Sequence, residues 1–204
     1  MDGKRIFDLT LTFPGLVCVF PLLAVIAVIL RIKLGTPVLF KQVRPGVNGN
    51  PFVLLKFRTM TEIRNKNGIL LPDSDRLTMI GEFLRSTSLD ELPEMINIIK
   101  GDMSIVGPRP LLMEYLTRYT PEQTRRNEVR PGLTGWAQVN GRNELSWEKK
   151  FELDVWYVDN QSVWLDIKII LMTIKKVLKR EGISHQGDAT MPEFNPMTKQ
   201  INVE

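Results

Sequence analysis

With 204 residues, 43% of them hydrophobic, the chain can bury one core, and its length favours a single catalytic domain with an anchor over two full domains. A formal net charge of +4 and a sequence pI of about 9.2 suit a surface that meets anionic headgroups or phosphorylated ligands; no stretch interleaves aromatic and basic residues, so no nucleic-acid partner is expected. Cys18 is the only cysteine and His185 the only histidine, which excludes an intrachain disulfide and argues against zinc, leaving oxygen ligands and hence Mg²⁺ or Mn²⁺ for any metal.

Thr10 to Leu30 is a run of 21 residues without charge, long enough at 1.5 Å rise per residue to cross a bilayer. It is longer than a signal-peptide core and leads through Arg31-Ile-Lys33 straight into the body, without a small-residue cleavage site. Pro21 interrupts its middle and Pro14 its start, each deleting a backbone donor. Lys4 and Arg5 flank one end, Arg31 and Lys33 the other, so the positive-inside rule is best met with both ends cytoplasmic. The expectation is a re-entrant hairpin of two short helices with its membrane break at Phe20-Pro21, ahead of a straight span.

Val38–Val43 and Phe52–Arg58 read as two strands joined by the turn-rich Arg44-Pro-Gly-Val-Asn-Gly-Asn-Pro51, a small β-hairpin. Asp73–Arg85, Leu89–Ile99, Leu111–Tyr119, Glu122–Val129 and Trp147–Val158 read as helices, and Pro131-Gly-Leu-Thr-Gly135 as a loop. From Val163 to Arg180, Ile167, Ile170, Leu171, Ile174, Val177 and Leu178 gather on one face and Lys168, Lys175, Lys176 and Lys179 on the other, the pattern of an interfacial helix or of a surface helix on a soluble core. The predicted class is α+β, mainly α. An anchor occupies residues 1–34, a catalytic domain with interfacial helices 35–185, and a polar, loosely held tail 186–204.

The acidic pair Asp90-Glu91 has two readings. Ser88-x-x-Glu91 matches a capping box, and acids in a first turn favour the helix dipole. Against this, Pro93 is a poor helix-interior residue and phosphate-binding candidates crowd the same stretch. A carboxylate can attack phosphorus to give an acyl phosphate while its neighbour holds Mg²⁺. Arg109 stands between Pro108 and Pro110 on a stiff backbone that suits bidentate phosphate recognition, or an ordinary surface turn. Lys56 and Arg58 share one strand face, either functional or solvated, and Arg85 precedes the acids by about one helical turn, either a phosphate ligand or a salt-bridge partner.

Phe40-Lys-Gln-Val-Arg-Pro-Gly46, Lys56-Phe-Arg-Thr-Met60, Ser88-Leu-Asp-Glu-Leu-Pro93, Gly101-Asp-Met-Ser-Ile-Val-Gly-Pro-Arg-Pro110 and Pro131-Gly-Leu-Thr-Gly-Trp-Ala-Gln-Val-Asn-Gly-Arg142 together resemble the bacterial sugar transferase family, the monotopic polyprenyl-phosphate phosphoglycosyltransferases. The resemblance runs from about Lys4 to about Arg180 and looks like that of a minimal member, without the extra transmembrane helices and added domain of larger relatives. It implies that Asp90 attacks the β-phosphate of a UDP-sugar, releasing UMP, and that undecaprenyl phosphate then takes the phosphosugar from the enzyme. It further implies that Glu91 helps Asp90 bind Mg²⁺, that Arg109, Lys56 and Arg85 neutralise phosphate oxygens, and that Asp154 is a further site candidate, its alternative being a helix-surface acid. Within the family the chain looks most like members that transfer phospho-N,N'-diacetylbacillosamine in protein glycosylation, at the cytoplasmic face of the bacterial inner membrane. One departure is Phe20, where relatives often carry serine before the anchor's proline.

Overall fold

The computed structural model describes residues 3–141, 145–179 and 193–195. Arg142, His185 and the tail 186–204 apart from residues 193–195 lie outside these described residues. Helix α1 runs from Gly3 to Leu34 with Pro14 and Pro21 inside it. The expected break at Pro21 into two helices is thus corrected: residues 3–34 form one helical element. A proline's fixed φ is itself helical, so each ring removes one donor without obliging the helix to end.

Both ends of α1 are fastened to the same body. Near the amino end, Lys4 Nζ pairs with Asp166 Oδ2 at 2.6 Å, Arg5 donates to the carbonyls of Ile98 and Ile99, and Asp8 accepts from Ser104 Oγ and the Ile105 amide. At the carboxyl end Ile26 and Leu30 pack with Phe57 and Leu84, and the Arg58 guanidinium donates to the carbonyls of Leu34 and Thr36. Between these attachments Val17, Phe20, Pro21 and Leu22 are exposed. Arg58 is therefore occupied with the end of the anchor and does not belong to a solvated strand face.

Strands β1 (Leu39–Pro45) and β2 (Pro51–Phe57) pair antiparallel with Val43 opposite Val53, the expected hairpin. The segment expected as one helix over Asp73–Arg85 divides into α2 (Asp73–Arg76) and α3 (Met79–Ser86), because Leu77 turns out of the helix to pair with Met60 and Thr78 caps α3 by accepting from the Gly81 amide. The segment expected as a helix over Leu89–Ile99 divides likewise: Leu89–Glu91 is a single 3₁₀ turn and α4 runs from Glu94 to Lys100, with Pro93 at the junction.

Strands β3 (Ser104–Val106) and β4 (Gly132–Thr134) pair in parallel, a contact the sequence did not announce. Gly132 is required there, since a Cβ at that position would lie 2.1 Å from the Gly107 amide nitrogen. After α5 (Pro121–Thr124) and α6 (Trp136–Val139) come α7 (Trp147–Asn160) and α8 (Val163–Lys179). Tyr157 of α7 and Ile169 of α8 join Val106 and Val139 in one buried cluster, while Leu171, Ile174, Val177 and Leu178 of α8 stay exposed. Phe194 is buried with Tyr115 and Phe151, so at this residue the chain is held, contrary to the loose tail expected there.

Candidate functional site

Ser88 enters the 3₁₀ turn in the left-handed region, with φ +56°, and its side chain makes no cap bond. The capping-box reading of Ser88-x-x-Glu91 is therefore not realised. The turn instead brings Asp90 and Glu91 inward, 8% and 9% exposed. Glu91 Oε1 receives Lys56 Nζ at 2.7 Å and the Arg109 guanidinium at 2.5 Å. Both cations meet one carboxylate oxygen, which leaves Oε2 without a hydrogen-bond partner among the described residues.

The two adjacent acids differ in their surroundings. No hydrogen bond or ion pair ends on the Asp90 carboxylate among the described residues. Burial and the neighbouring Glu91 charge raise its pKa, against the pull of Lys56, Arg109 and Arg85. Burial would raise Glu91 too, but Arg109 and Lys56, through charge and hydrogen bonds, hold it well below the usual carboxylate range. The Glu91 charge in turn raises the pKa of Arg109. One acid is thus held as an anion by two cations, while the other, close to three cations, carries no hydrogen bond or ion pair among the described residues.

A third carboxylate, Glu94, was not singled out by sequence. It is 2% exposed, lies 3.1 Å from Lys56 Nζ, and is raised to about 7, first by burial and then by Glu91 against the pull of Lys56. Its position on the first turn of α4 is legible only once the helix is known to begin there.

Lys56 is positioned through α4. The buried Asn97 side chain accepts from the Leu55 amide at 3.1 Å and donates to the Val53 carbonyl at 2.7 Å, clipping β2 to α4 so that Lys56 faces both Glu91 and Glu94. Arg109 is positioned through α7. Arg126 donates to the Arg109 carbonyl at 2.7 Å and to Asp154 Oδ2 at 2.7 and 3.1 Å. Asp154 is therefore committed to a buried ion pair rather than to the acidic pair, although it lines one cleft with Lys56, Glu94 and Arg109. Arg85 donates to Thr59 Oγ1 at 3.0 Å and reaches Asp90 through its field.

The cleft measures about 410 Å³, and Arg44, Lys56, Glu94, Arg109, Lys150 and Asp154 are among its walls. Arg44, which sequence alone does not mark as a site residue, has a buried Nε without a hydrogen-bond partner, and burial followed by the Arg109 charge lowers its pKa to about 10. Burial and Arg109 also lower Lys150 to about 8. Lys150 Nζ stands 4.9 Å over the Trp147 ring. A strongly cationic cleft ending on an aromatic wall accepts a polyanion joined to a ring. Asp90 is not itself on the cleft wall; its neighbours Lys56, Glu94 and Arg109 are.

Among the described residues no group of three His, Cys, Asp or Glu is arranged to hold a metal ion. Mg²⁺ commonly uses one or two carboxylates and completes its shell from substrate phosphates, so Glu91 Oε2 and the unengaged Asp90 carboxylate fit that requirement.

A family model described as bacterial sugar transferase matches residues 2–180. The chain is similar to the uncharacterized sugar transferase EpsL of Bacillus subtilis, 56% identical over 94% of this chain and 95% of that one. It is 40% identical to the UDP-glucose:undecaprenyl-phosphate glucose-1-phosphate transferase of Klebsiella pneumoniae over 86% of this chain, and 36% identical to the undecaprenyl-phosphate galactose phosphotransferase of Salmonella typhimurium over 88%. The matches span only 40% and 41% of those two longer proteins.

Proposed function

The chain belongs to the bacterial sugar transferase family, and on that premise we propose that it transfers a sugar 1-phosphate from a UDP-sugar to undecaprenyl phosphate in two steps through Asp90. In the first step a carboxylate oxygen of Asp90 attacks the β-phosphorus of the donor; the bond from that phosphorus to the bridging oxygen breaks and UMP leaves with the electron pair. In the second, an oxygen of the lipid phosphate attacks the same phosphorus, and the Asp90 carboxylate is restored. The observation that carries this reading is the contrast between the pinned Glu91 and the unengaged Asp90.

Lys56, Arg109 and, through its field, Arg85 neutralise the phosphate oxygens as charge builds on them, and fixed cations at such a site need no reorganisation during reaction. Mg²⁺, or Mn²⁺ in its place, would be held by Glu91 with Asp90 and would supply further charge neutralisation on the diphosphate.

Residues 1–34 act as the anchor and 35–185 as the catalytic domain, at the cytoplasmic face of the bacterial inner membrane. Supporting this, Lys4, Arg5 and Asp8 at one end of α1 and Leu30, Leu34 at the other all attach to one folded body. A body with a charged cleft lies on one side of the bilayer, so a helix tied to it at both ends rests in the near leaflet without crossing. Exposed Val17, Phe20 and Leu22 between the attachments are the part that enters. The proposed donor is UDP-N,N'-diacetylbacillosamine, on the resemblance of the motifs.

The test is transfer of label from the β-phosphate of a UDP-sugar into protein, with UMP release measured without lipid. Label in the native chain and none in Asp90→Asn supports the covalent route. Equal label in the variant removes Asp90 as nucleophile, and UMP release strictly dependent on lipid favours single-step transfer. No label and no UMP release with or without lipid, for any donor, leaves a membrane-anchored binding protein. Across UDP-N,N'-diacetylbacillosamine, UDP-glucose and UDP-galactose the first is expected to release UMP fastest, and faster release from either of the others replaces it as donor.

A further inference from the structure

A second cavity adjoins the acidic pair and has the opposite character. It measures about 340 Å³ and is walled chiefly by Leu92, Leu133, Ile170, Ile174 and Val177, with Glu91 also on its wall. Gln138 lines both this cavity and the cationic cleft, and its Oε1 is buried without a hydrogen-bond partner. Glu91 and Gln138 therefore separate an apolar chamber from a cationic one, with Lys56 and Arg109 gripping Glu91 from the cationic side.

The apolar chamber is continuous with a surface suited to lipid. Ile174 and Val177 belong to its wall and are 51% and 39% exposed, and Leu171 and Leu178 extend the same exposed stripe along α8. Lys176 also lines the chamber, a cation beside the apolar wall that suits an anionic headgroup. An apolar hollow of this kind beside a charged centre gains nothing from water. It does match a substrate whose phosphate head is bonded to a hydrocarbon tail: the head is drawn to the cations around Glu91, and the tail leaves by an apolar route into the bilayer.

We infer that this cavity receives the isoprene units nearest the phosphate of the lipid acceptor and presents that phosphate at the wall formed by Glu91 and Gln138, opposite the UDP-sugar. The assignment rests on the lipid-acceptor reading given above. Its volume lies at the small end of ligand clefts, roughly 300–1,000 Å³, so it accommodates the first few units only and the remaining tail stays in the membrane. The cavity then selects for branched hydrocarbon next to the phosphate rather than for total chain length.

Ile174→Trp and Val177→Trp fill the chamber from positions exposed enough to carry a large ring. With the full chain in phospholipid nanodiscs, KM for a short polyprenyl phosphate is compared with the UDP-sugar concentration that half-saturates the single-turnover release of UMP without lipid, and vesicle binding is followed by sedimentation. The assignment expects the acceptor KM to rise about tenfold or more in both variants, with the half-saturating donor concentration unchanged and vesicle binding retained. It also expects an unbranched alkyl phosphate of equal length to be a poorer acceptor than the polyprenyl phosphate. Unchanged acceptor KM in both variants, with UMP release intact, overturns the assignment alone. Lost vesicle binding with unchanged acceptor KM also overturns it, because the chamber then holds a phospholipid tail. Absence of UMP release and of lipid product in the native chain, with every donor, removes the proposed reaction and this assignment together.

Discussion

At the scale of single residues, neighbouring carboxylates are driven in opposite directions by what faces them. Asp90 must be ionised to attack, and burial with the Glu91 charge raises its pKa. UMP release is therefore expected to fall with decreasing pH along a limb lying above the ordinary aspartate range, near 3.9; a pH profile of lipid-independent release with its limb at or below that range counts against the assignment. Asp90→Asn is expected to lower turnover on the order of a thousandfold or more. Glu91 has its folded pKa depressed, so the stability it contributes is complete above the unfolded value and is lost as pH falls through the folded one.

Glu94 behaves in the reverse sense. Its folded pKa of about 7 stands above the ordinary 4.5, so its ionisation weakens the fold progressively as pH rises from the lower value to the higher. The penalty is up to ~3 kcal/mol above pH 7. Glu94→Gln is accordingly expected to raise Tm at pH 8 and to change it little at pH 4. Thermal melts at the two pH values decide this, and an equal shift at both removes the argument.

Among the elements, the clips between helices and strands decide whether the cations stand where the acids need them. Asn97 serves two backbone groups of β2, and Asn97→Ala leaves a buried donor and acceptor unpaired at about 1–3 kcal/mol each. Denaturant unfolding is expected to show that loss, and catalysis to fall with it as Lys56 loses its register opposite Glu91. Asp154→Asn leaves the buried Arg126 charge uncompensated, at about 3–5 kcal/mol. Because Arg126 also holds the Arg109 carbonyl, the surviving folded fraction is expected to show a raised KM for the UDP-sugar. An Asp154→Asn protein with native stability and native KM would place Asp154 outside this network.

For the whole molecule, the decisive feature is a long apolar helix whose two ends are bound to one body. Cysteines introduced before Asp8 and after Lys33, in a Cys18→Ser background, are both expected to react with an impermeant reagent from the cytoplasmic side only. Reaction of the amino end from the opposite side converts α1 to a crossing helix. Lys4→Met removes one partner of Asp166, which is 1% exposed at its side chain. This substitution is expected to loosen the amino-terminal half of α1 first, read as faster amide exchange over residues 3–12 than over 24–34.

The sequence by itself determined the features that depend on local chemistry: the uncharged run of residues 10–30, the β-hairpin with its glycine and proline turn, the amphipathic α8, and the acids and arginine of the motifs around 90 and 109. Those follow from composition and period, which are properties of neighbouring residues. Tertiary structure alone decided which of the acids is pinned and which is unengaged, because that depends on Lys56 and Arg109 arriving from 35 and 18 residues away. It also decided the three-residue parallel pair β3–β4, too short to show an alternation, the breaks at Leu77 and Pro93, where pairing and a ring overrode helical periodicity, and the commitment of Asp154 to Arg126. A pattern along the chain reports what each residue can do, whereas long-range packing fixes which partner it meets and therefore which protonation state and role it takes.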